Sequence, residues 1–299
     1  MDTKKSFYKR KRFIIPLIIV LLLIIIVFIA FDNSLKMTSY SIESDKLNNK
    51  VKIVHISDLH NEIFEDNQQK LIDKVKNESP DLIVLTGDMA DGSPTLGTEL
   101  LLEGICDVAP MFYVTGNHEY PMIRVKNKSG TYENIISMMK RYGVRVLEDE
   151  SSLLTVGETE LIIAGINDPD VELDGRAKSK EELKNIFQDI NQNEKYTILL
   201  AHRPEDYHDY MDYGFDLVLS GHTHGGQIRI PLFLNGLFAP GQGFFPERAG
   251  GLYKDEIDGR IMYHIVNRGT TRQEFEYGGK TAPRIFNPPE ICVIELEPE

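Results

Sequence analysis

Five short apolar runs in this sequence each end in a polar side chain, and this arrangement constrains the fold more than any other feature. The runs are Val51–Ile56, Leu82–Leu85, Met111–Val114, Tyr196–Leu200 and Leu217–Leu219. Their length and composition predict buried β-strands, as does the further run Leu161–Ile166. Segments with helical spacing alternate with them, namely Asn67–Lys76, Glu99–Cys106, Tyr132–Tyr142 and Lys180–Ile190. Strands that alternate with helices indicate an α/β domain with parallel strand pairs.

Two later segments have the pattern of antiparallel hairpins. They read "LTVGETELIIAG" and "GLYKDEIDGRIMYHIV". A domain that combines these hairpins with parallel strands is expected to contain mixed sheets. Gly143 follows the third helical segment at the position where a glycine commonly ends a helix.

Candidate ligands and acid–base groups directly follow the five runs. They are Asp58 and His60 in "SDLH", Asp88 in "TGD", Asn117 and His118 in "TGNHEY", His202 in "AHRPE", and His222 and His224 in "SGHTH". Each block alone has an ordinary explanation, because Asp and Asn are common in turns and a lone histidine is usually a satisfied polar residue. Ligands of α/β sheets bind beyond the carboxyl ends of the strands. Agreement at five strand ends therefore favours one shared site.

The chemistry of these side chains predicts metal binding. Carboxylate and amide oxygens and neutral imidazoles are ligands for Mn, Fe or Zn, and no cysteine falls among them. A single catalytic zinc takes about three protein ligands, so the larger set here predicts two metals. Glycines 87, 116 and 221 would let the backbone turn sharply. If the chain is extended there, Asp58 and His60 share one face, and so do His222 and His224.

The blocks D-x-H, GD, GNHE, a lone H and GHxH, in this order, resemble the calcineurin-like metallophosphoesterase family. Flanking text such as "SGHTHGGQ", "LFAPGQG" and "NPPE" is similar to its bacterial branch of membrane-associated phosphodiesterases and UDP-2,3-diacylglucosamine pyrophosphatase-like proteins. The resemblance implies a four-layer αββα sandwich with two mixed sheets. It also implies that Asp58, His60 and His224 hold one divalent metal, that Asn117, His202 and His222 hold another, and that Asp88 bridges both.

The same resemblance implies a phosphoester hydrolase in which a hydroxide bridging the two metals attacks phosphorus. His118 would then be the general acid that protonates the leaving group. Protein phosphatases of the family usually continue the GD block as GDxVDRG, whereas this chain has "GDMADGS" without an arginine. This disfavours a phosphoprotein phosphatase. We expect a phosphodiesterase or pyrophosphatase, and the membrane anchor together with the apolar loop 231–245 favours a lipid-linked or nucleotide-sugar-type phosphoester as its substrate. A phosphomonoesterase and a non-catalytic, membrane-tethered binding protein on this fold are the alternatives.

Two further features near the predicted site have both a structural and a functional interpretation. The apolar loop 231–245 is either a buried connection or a groove wall for an amphipathic substrate. Arg203, next to His202, is either a phosphate contact or a surface arginine.

The N-terminal segment predicts a membrane anchor. Residues 13–31 form an uncharged apolar run of 19 residues, about 28 Å long as a helix, after a basic segment at residues 1–12. Basic residues favour the cytoplasmic side, so the rest of the chain is expected outside the cytoplasm at the cell membrane. A cleaved signal peptide is the alternative, but no A-x-A-like site follows. Residues 32–50 are polar and predict a linker to one domain at 51–299.

The charge of the domain limits its partners. Six of the 33 basic and one of the 46 acidic residues lie in the first 31 positions, which leaves a formal net charge of −18 for the remainder. An acidic surface repels nucleic acid, so no nucleic-acid surface is expected. The oligomeric state is left open, as is pairing of the two cysteines, Cys106 and Cys292.

Overall fold

The structure is a computed structural model that describes residues 2–90, 95–119, 131–169, 178–190, 194–272, 275–277 and 280–299. Its helices are α1 (Asp2–Ala30), α2 (Gln69–Glu78), α3 (Leu96–Ile105), α4 (Thr131–Arg141), α5 (Lys180–Ile186) and α6 (Tyr207–Tyr213). Its strands are β1 (Lys36–Ser44), β2 (Val51–Ile56), β3 (Leu82–Thr86), β4 (Met111–Val114), β5 (Arg145–Val146), β6 (Glu150–Val156), β7 (Thr159–Gly165), β8 (Tyr196–Leu200), β9 (Leu217–Ser220), β10 (Phe238–Ala239), β11 (Gly243–Phe244), β12 (Gly251–Ile257), β13 (Arg260–Val266), β14 (Phe275–Tyr277), β15 (Lys280–Ala282) and β16 (Glu290–Pro298).

Two six-stranded mixed sheets form the centre of the domain. The first has the order β1-β16-β2-β3-β4-β5 and the second the order β12-β13-β9-β8-β7-β6. Strands β2 to β5 run parallel to one another, and so do β7, β8, β9 and β13. The two predicted hairpins are confirmed as β6–β7 and β12–β13. The prediction of mixed sheets is therefore confirmed.

Three apolar clusters separate four layers, because each sheet buries both of its faces. One cluster packs Val54, Ile83 and Leu85 of the first sheet against α2, α3 and α4. The second fills the space between the sheets and includes Val84 and Ile198. The third packs the outer face of the second sheet against α6 and the residues that follow α5. Alternating side chains of one strand thus enter different clusters, as the period of two requires, and the αββα sandwich is confirmed.

The predicted strands are present with small differences in their ends, and the helices differ more. The helix predicted from Asn67 begins at Gln69 because Asn67 and Gln68 have φ values of 54° and 67°, outside the right-handed helical region. The helix predicted over Lys180–Ile190 ends at Ile186. Gly143 does have a left-handed φ of 76° after α4. Helix α6 and strands β1 and β16 had no counterpart in the sequence prediction.

The prediction of a linker at 32–50 is wrong for residues 36–44, which form a strand of the domain. Strand β1 pairs in parallel with β16 over nine residues, from Lys36 to Ser44. Strand β1 is an edge strand and Ile42 is its one fully buried residue, so its sequence reads as polar. A buried contact also holds β1, because the Thr38 hydroxyl donates to Glu290 Oε2 at 2.7 Å and Arg268 pairs with the same carboxylate.

Helix α1 ends close to the domain as a consequence. Only residues 31–35 separate it from β1, and the amide of Phe286 donates to the carbonyl of Ala30 at 2.7 Å. The segment Phe13–Ala30 is long and apolar enough to cross a membrane, although a signal sequence has the same length and composition. Both cysteines are free thiols, with Cys106 exposed and Cys292 buried.

Candidate metal centre

The candidate ligands come together at the carboxyl ends of β2, β3, β4, β8 and β9. Six of the seven are buried, with at most 7% of the residue surface exposed, and Asn117 is half-buried. Three overlapping groups of donor atoms are present among the described residues. Asp58, His60 and His224 form the first and Asp88, His202 and His222 the second, while His60, Asp88 and the exposed His118 form a third that spans these two. In each group the donor atoms lie within 4.8 Å of one another. The strand-end blocks therefore converge, as the sequence predicts.

The first group is compact. His60 Nε2 lies 3.2 Å from His224 Nε2, and His224 Nε2 lies 3.5 Å from Asp58 Oδ1. Donor atoms that bind one ion at about 2.1 Å in a tetrahedral arrangement are about 3.4 Å apart. These separations therefore fit a common ion.

The second group is centred on His202. Its Nε2 atom lies 3.2 Å from Asp88 Oδ2, 3.2 Å from His222 Nδ1 and 3.2 Å from Asn117 Oδ1. Asp88 Oδ2 is also 3.9 Å from His60 Nε2 of the first group. The Asp88 carboxylate thus lies between the two groups and can contact ions in both.

His202 has the orientation, and His222 and His224 have the protonation, that metal ligands need. His202 Nδ1 is 2.7 Å from the carbonyl of Thr86, to which it can only donate, so Nε2 faces the group. Burial lowers the pKa of His222 and His224, which keeps both rings neutral at neutral pH. Burial alone would also lower the pKa of His202, but the charge of Asp88 outweighs it and raises that pKa to about 10. A cation bound here replaces that proton, because ligands must be deprotonated.

Left-handed backbone, rather than extended backbone, directs these side chains into the site. The φ values are 51° at Asp58, 49° at His60, 51° at Asp88, 70° at His222 and 48° at His224. The expectation that pairs of ligands share a face of an extended stretch is therefore wrong, although the pairs do meet. Such residues cost about 1–3 kcal/mol each and cluster at functional sites.

Two of the three glycines are required by close packing rather than by a positive φ. Gly87 has a φ of 84°, as a sharp turn requires. A Cβ on Gly221 would lie 1.9 Å from Ser57 Oγ and 2.3 Å from Asp58 Oδ2, and one on Gly116 would lie 2.3 Å from Asp88 Oδ1. The latter two glycines therefore let neighbouring loops approach the ligands closely.

His118 and Arg203 occupy different environments. The His118 side chain is 45% exposed at the edge of the site, with Nε2 4.0 Å from Asp88 Oδ2. Its backbone amide donates to Asp88 Oδ1 at 2.8 Å. Arg203 donates through Nε and Nη2 to both oxygens of the buried Asp168, at 2.8 and 3.0 Å. Arg203 is thus not a plain surface arginine, because its guanidinium is engaged by the buried Asp168.

A match to a family model decides the identity. The model described as calcineurin-like phosphoesterase matches residues 51–226, which cover more than half of the chain and include every candidate ligand. The chain belongs to this family. It is a phosphoester hydrolase, and the family uses divalent metals, for which the two groups of Asp and His offer ligands.

Relatives of similar length extend the likeness beyond the matched segment. An uncharacterized metallophosphoesterase of Aquifex aeolicus is 29% identical over 88% of this chain and 92% of its own length. The UDP-2,3-diacylglucosamine pyrophosphatase LpxG of Chlamydia muridarum is 30% identical over 82% of this chain and 83% of its own. Among solved structures, the NAD nucleotidase of Haemophilus influenzae has a TM-score of 0.51 at 12% identity. It matches 74% of this chain and 45% of the nucleotidase, and this likeness concerns the fold alone.

Two glutamates of this phosphoesterase were missed by sequence reasoning. Glu119 Oε1 accepts the amide of Met89 at 2.8 Å, and its Oε2 accepts the amides of Asp88 and Gly116 at 3.0 and 2.7 Å. It thereby holds the loops that carry Asp88 and Asn117. Glu205 Oε1 lies 3.6 Å from His222 Nε2, the ring nitrogen opposite Nδ1. Both follow ligands within quoted motifs, "GNHE" and "HRPE", and position is the only signal that the sequence offers.

Replacing Glu119 is expected to weaken metal binding without removing a ligand. In Glu119→Gln one oxygen becomes an NH₂ donor that faces backbone amides, so the two loops separate. Changes at such supporting residues typically cost about 10–100-fold in metal affinity or activity. Metal titration of the full chain in detergent, together with kcat on an aryl phosphodiester, measures the effect.

Asp216→Asn is the matched control for this substitution. Asp216 accepts the Thr197 amide at 2.9 Å near the opposite ends of β8 and β9. The control is expected to lose stability but to keep its metal affinity. Equal losses of metal affinity in both variants would contradict the role assigned to Glu119.

Proposed function

We propose that this chain is a phosphodiesterase or pyrophosphatase that uses two divalent ions, with Mn, Fe and Zn as candidates. Its substrate is a lipid-linked or nucleotide-sugar-type phosphoester at the outer face of the membrane. The observation that carries the proposal is that Asp88 lies between two groups of donor atoms, 3.2 Å from His202 Nε2 and 3.9 Å from His60 Nε2.

The proposed ligands of the two ions follow the two groups. Asp58, His60 and His224 hold one ion, and Asn117, His202 and His222 hold the other, with Asp88 shared. When bound, two such ions neutralise phosphate charge and make hydroxide available from water near neutral pH. The side chains supply the rest, because the Thr86 carbonyl fixes the tautomer of His202 and Glu205 faces the outer nitrogen of His222.

His118 is the proposed general acid. It is the one candidate side chain of the set that is exposed, so a leaving group can reach it. The hydrogen bond from the His118 backbone amide to Asp88 Oδ1 fixes the position of His118 relative to the shared carboxylate. A protonated His118 would give its proton to the leaving oxygen, and a positioned acid of this kind typically contributes about 10²–10⁴-fold in rate.

Two observations support the substrate class. LpxG, whose name states pyrophosphatase action on UDP-2,3-diacylglucosamine, is 30% identical over most of both chains. In addition, Phe244 and Phe245 of the loop that follows the His222 block are 70% and 69% exposed. The interpretation of this loop as a wholly buried connection is thus excluded, and an amphipathic substrate matches its surface. A comparison of bis-p-nitrophenyl phosphate with p-nitrophenyl phosphate separates a diesterase from the alternative monoesterase.

Hydrolysis is expected to depend on metal and on Asp88. The full chain in detergent should hydrolyse bis-p-nitrophenyl phosphate with Mn²⁺, lose activity on chelation and regain it when metal returns. Asp88→Asn removes a charge shared by both ions, and a loss beyond the roughly 100-fold typical of supporting residues is expected. Activity that survives both treatments would contradict the metal mechanism. Absence of hydrolysis on every phosphoester tested would instead favour the non-catalytic alternative.

Loss of the His118 proton is expected to matter most for poor leaving groups. His118→Ala should lower kcat/KM by about 10²–10⁴-fold on diesters with alkoxide-like leaving groups. The loss should be much smaller with p-nitrophenolate, which departs without a proton. With a series of aryl diesters, the rate of His118→Ala is expected to depend more steeply on leaving-group pKa than the rate of the wild type. The exposed His208 on α6 provides the control His208→Ala. Parallel dependences for wild type and His118→Ala would exclude the general-acid role.

The proposed topology has the N-terminus in the cytoplasm and the catalytic domain outside, with α1 as an uncleaved anchor. The basic residues before Phe13 support this orientation. The exposed Cys106 is a natural probe, because Cys292 is buried. A membrane-impermeant maleimide is expected to label Cys106 in intact cells, and labelling only after cell lysis would reverse the topology.

A further inference from the structure

The turn Ile230–Leu234 presents large apolar side chains to solvent. Leu232 is fully exposed, and Phe233 is 87% and Ile230 48% exposed. The turn is nevertheless ordered, because the amide of Leu234 donates to the carbonyl of Ile230 at 2.8 Å and the amide of Ile230 donates back at 2.9 Å. Leu232 has a φ of 70°, which a branched residue rarely adopts. The backbone therefore fixes these side chains outside the core.

This turn lies next to the end of α1. The amide of Arg229, the residue before the turn, donates to the carbonyl of Ile285 at 2.9 Å. Phe286, which follows Ile285, donates its amide to the carbonyl of Ala30, the last residue of α1. The exposed turn and the apolar surface of α1 are thus joined through two consecutive residues. A patch that continues an apolar helix is more informative than scattered exposed side chains.

The turn lines an open groove of about 540 Å³, whose lining also includes Arg229, Arg268 and Phe286. Arg268 pairs with Glu290, whereas Arg229 is partly exposed and has no ion pair among the described residues. An arginine beside exposed apolar groups matches the phosphates that lie above the acyl chains of a bilayer.

We propose that Ile230, Leu232 and Phe233 dock into the bilayer that α1 enters, with Arg229 at the level of the lipid phosphates. Apolar insertion must dominate, because the net charge of −18 beyond residue 31 opposes a general attraction to anionic lipid. This inference rests on one part of the proposed function, namely that α1 lies in a membrane. It is independent of catalysis and of the substrate.

Lipid-borne quenching in the full chain tests the proposal. Cysteine is introduced singly as Leu232→Cys, Val27→Cys or Leu153→Cys in a Cys106→Ser background, and each is labelled with a polarity-sensitive fluorophore. Val27 lies in α1, and Leu153 is 54% exposed on β6, at the sheet edge opposite β12. Each protein is reconstituted in phosphatidylcholine vesicles with or without brominated acyl chains.

Brominated lipid is expected to quench the label severalfold at positions 27 and 232 and to leave position 153 unchanged. Quenching at position 27 with none at 232 would overturn the docking and leave the anchor intact. Absence of quenching at position 27 would overturn both the anchor and the docking. Disulfide-linked dimers of unlabelled Leu232→Cys, together with an unquenched label at 232, would show that the turn meets a second copy and would also overturn the proposal.

Discussion

The burial of two carboxylates in one cavity is the constraint on which the site depends. Asp58 and Asp88 are both nearly inaccessible to solvent. Burial raises the pKa of Asp58, and the charge of His202 only partly opposes this. Isolated buried charges are costly, so they are paired, neutralised or bound to metal. The surrounding imidazoles cannot all supply positive charge, since burial keeps His222 and His224 neutral. Carboxylates fixed beside the neutral rings of His222 and His224 therefore favour a cation over a neutral occupant.

The loops that carry these candidate ligands have strained backbones, and hydrogen bonds between the loops hold them in place. Five ligands have left-handed φ values, and an isolated loop would relax out of them. Here the loops restrain one another: the amide of His60 donates to the carbonyl of Asp88, and the amide of His222 donates to Asp58 Oδ1. Because each ligand loop bonds to another ligand loop, the geometry is a property of the assembled sandwich. No single motif can hold it alone.

The sequence indicated which candidate ligands come together, but not the means by which their side chains are held. Strand-end blocks could be recognised because strand periodicity and metal chemistry are local properties. The role of Glu119 could not be predicted, because its hydrogen-bond acceptance from residues 88–90 exists only after β3 and β4 pair. Strand β1 was missed because an edge strand buries few side chains, so the linker interpretation followed from composition. The left-handed φ values were missed for a related reason. Alternate residues share a face only where the strand continues to pair, and the candidate ligands lie just beyond the strand ends.

The segment 286–287 connects the candidate metal site to helix α1. The Asn287 side chain donates to the carbonyl of His224 at 2.7 Å, whereas the adjacent Phe286 bonds to the end of α1. Neighbouring residues thus contact a proposed metal ligand and the end of the proposed anchor. If α1 spans a bilayer, this direct connection fixes the site near the headgroups, since no flexible linker separates helix and domain. A phosphoester embedded at that depth reaches such a site by lateral diffusion. The correction of the linker therefore strengthens the proposal of a membrane-resident substrate.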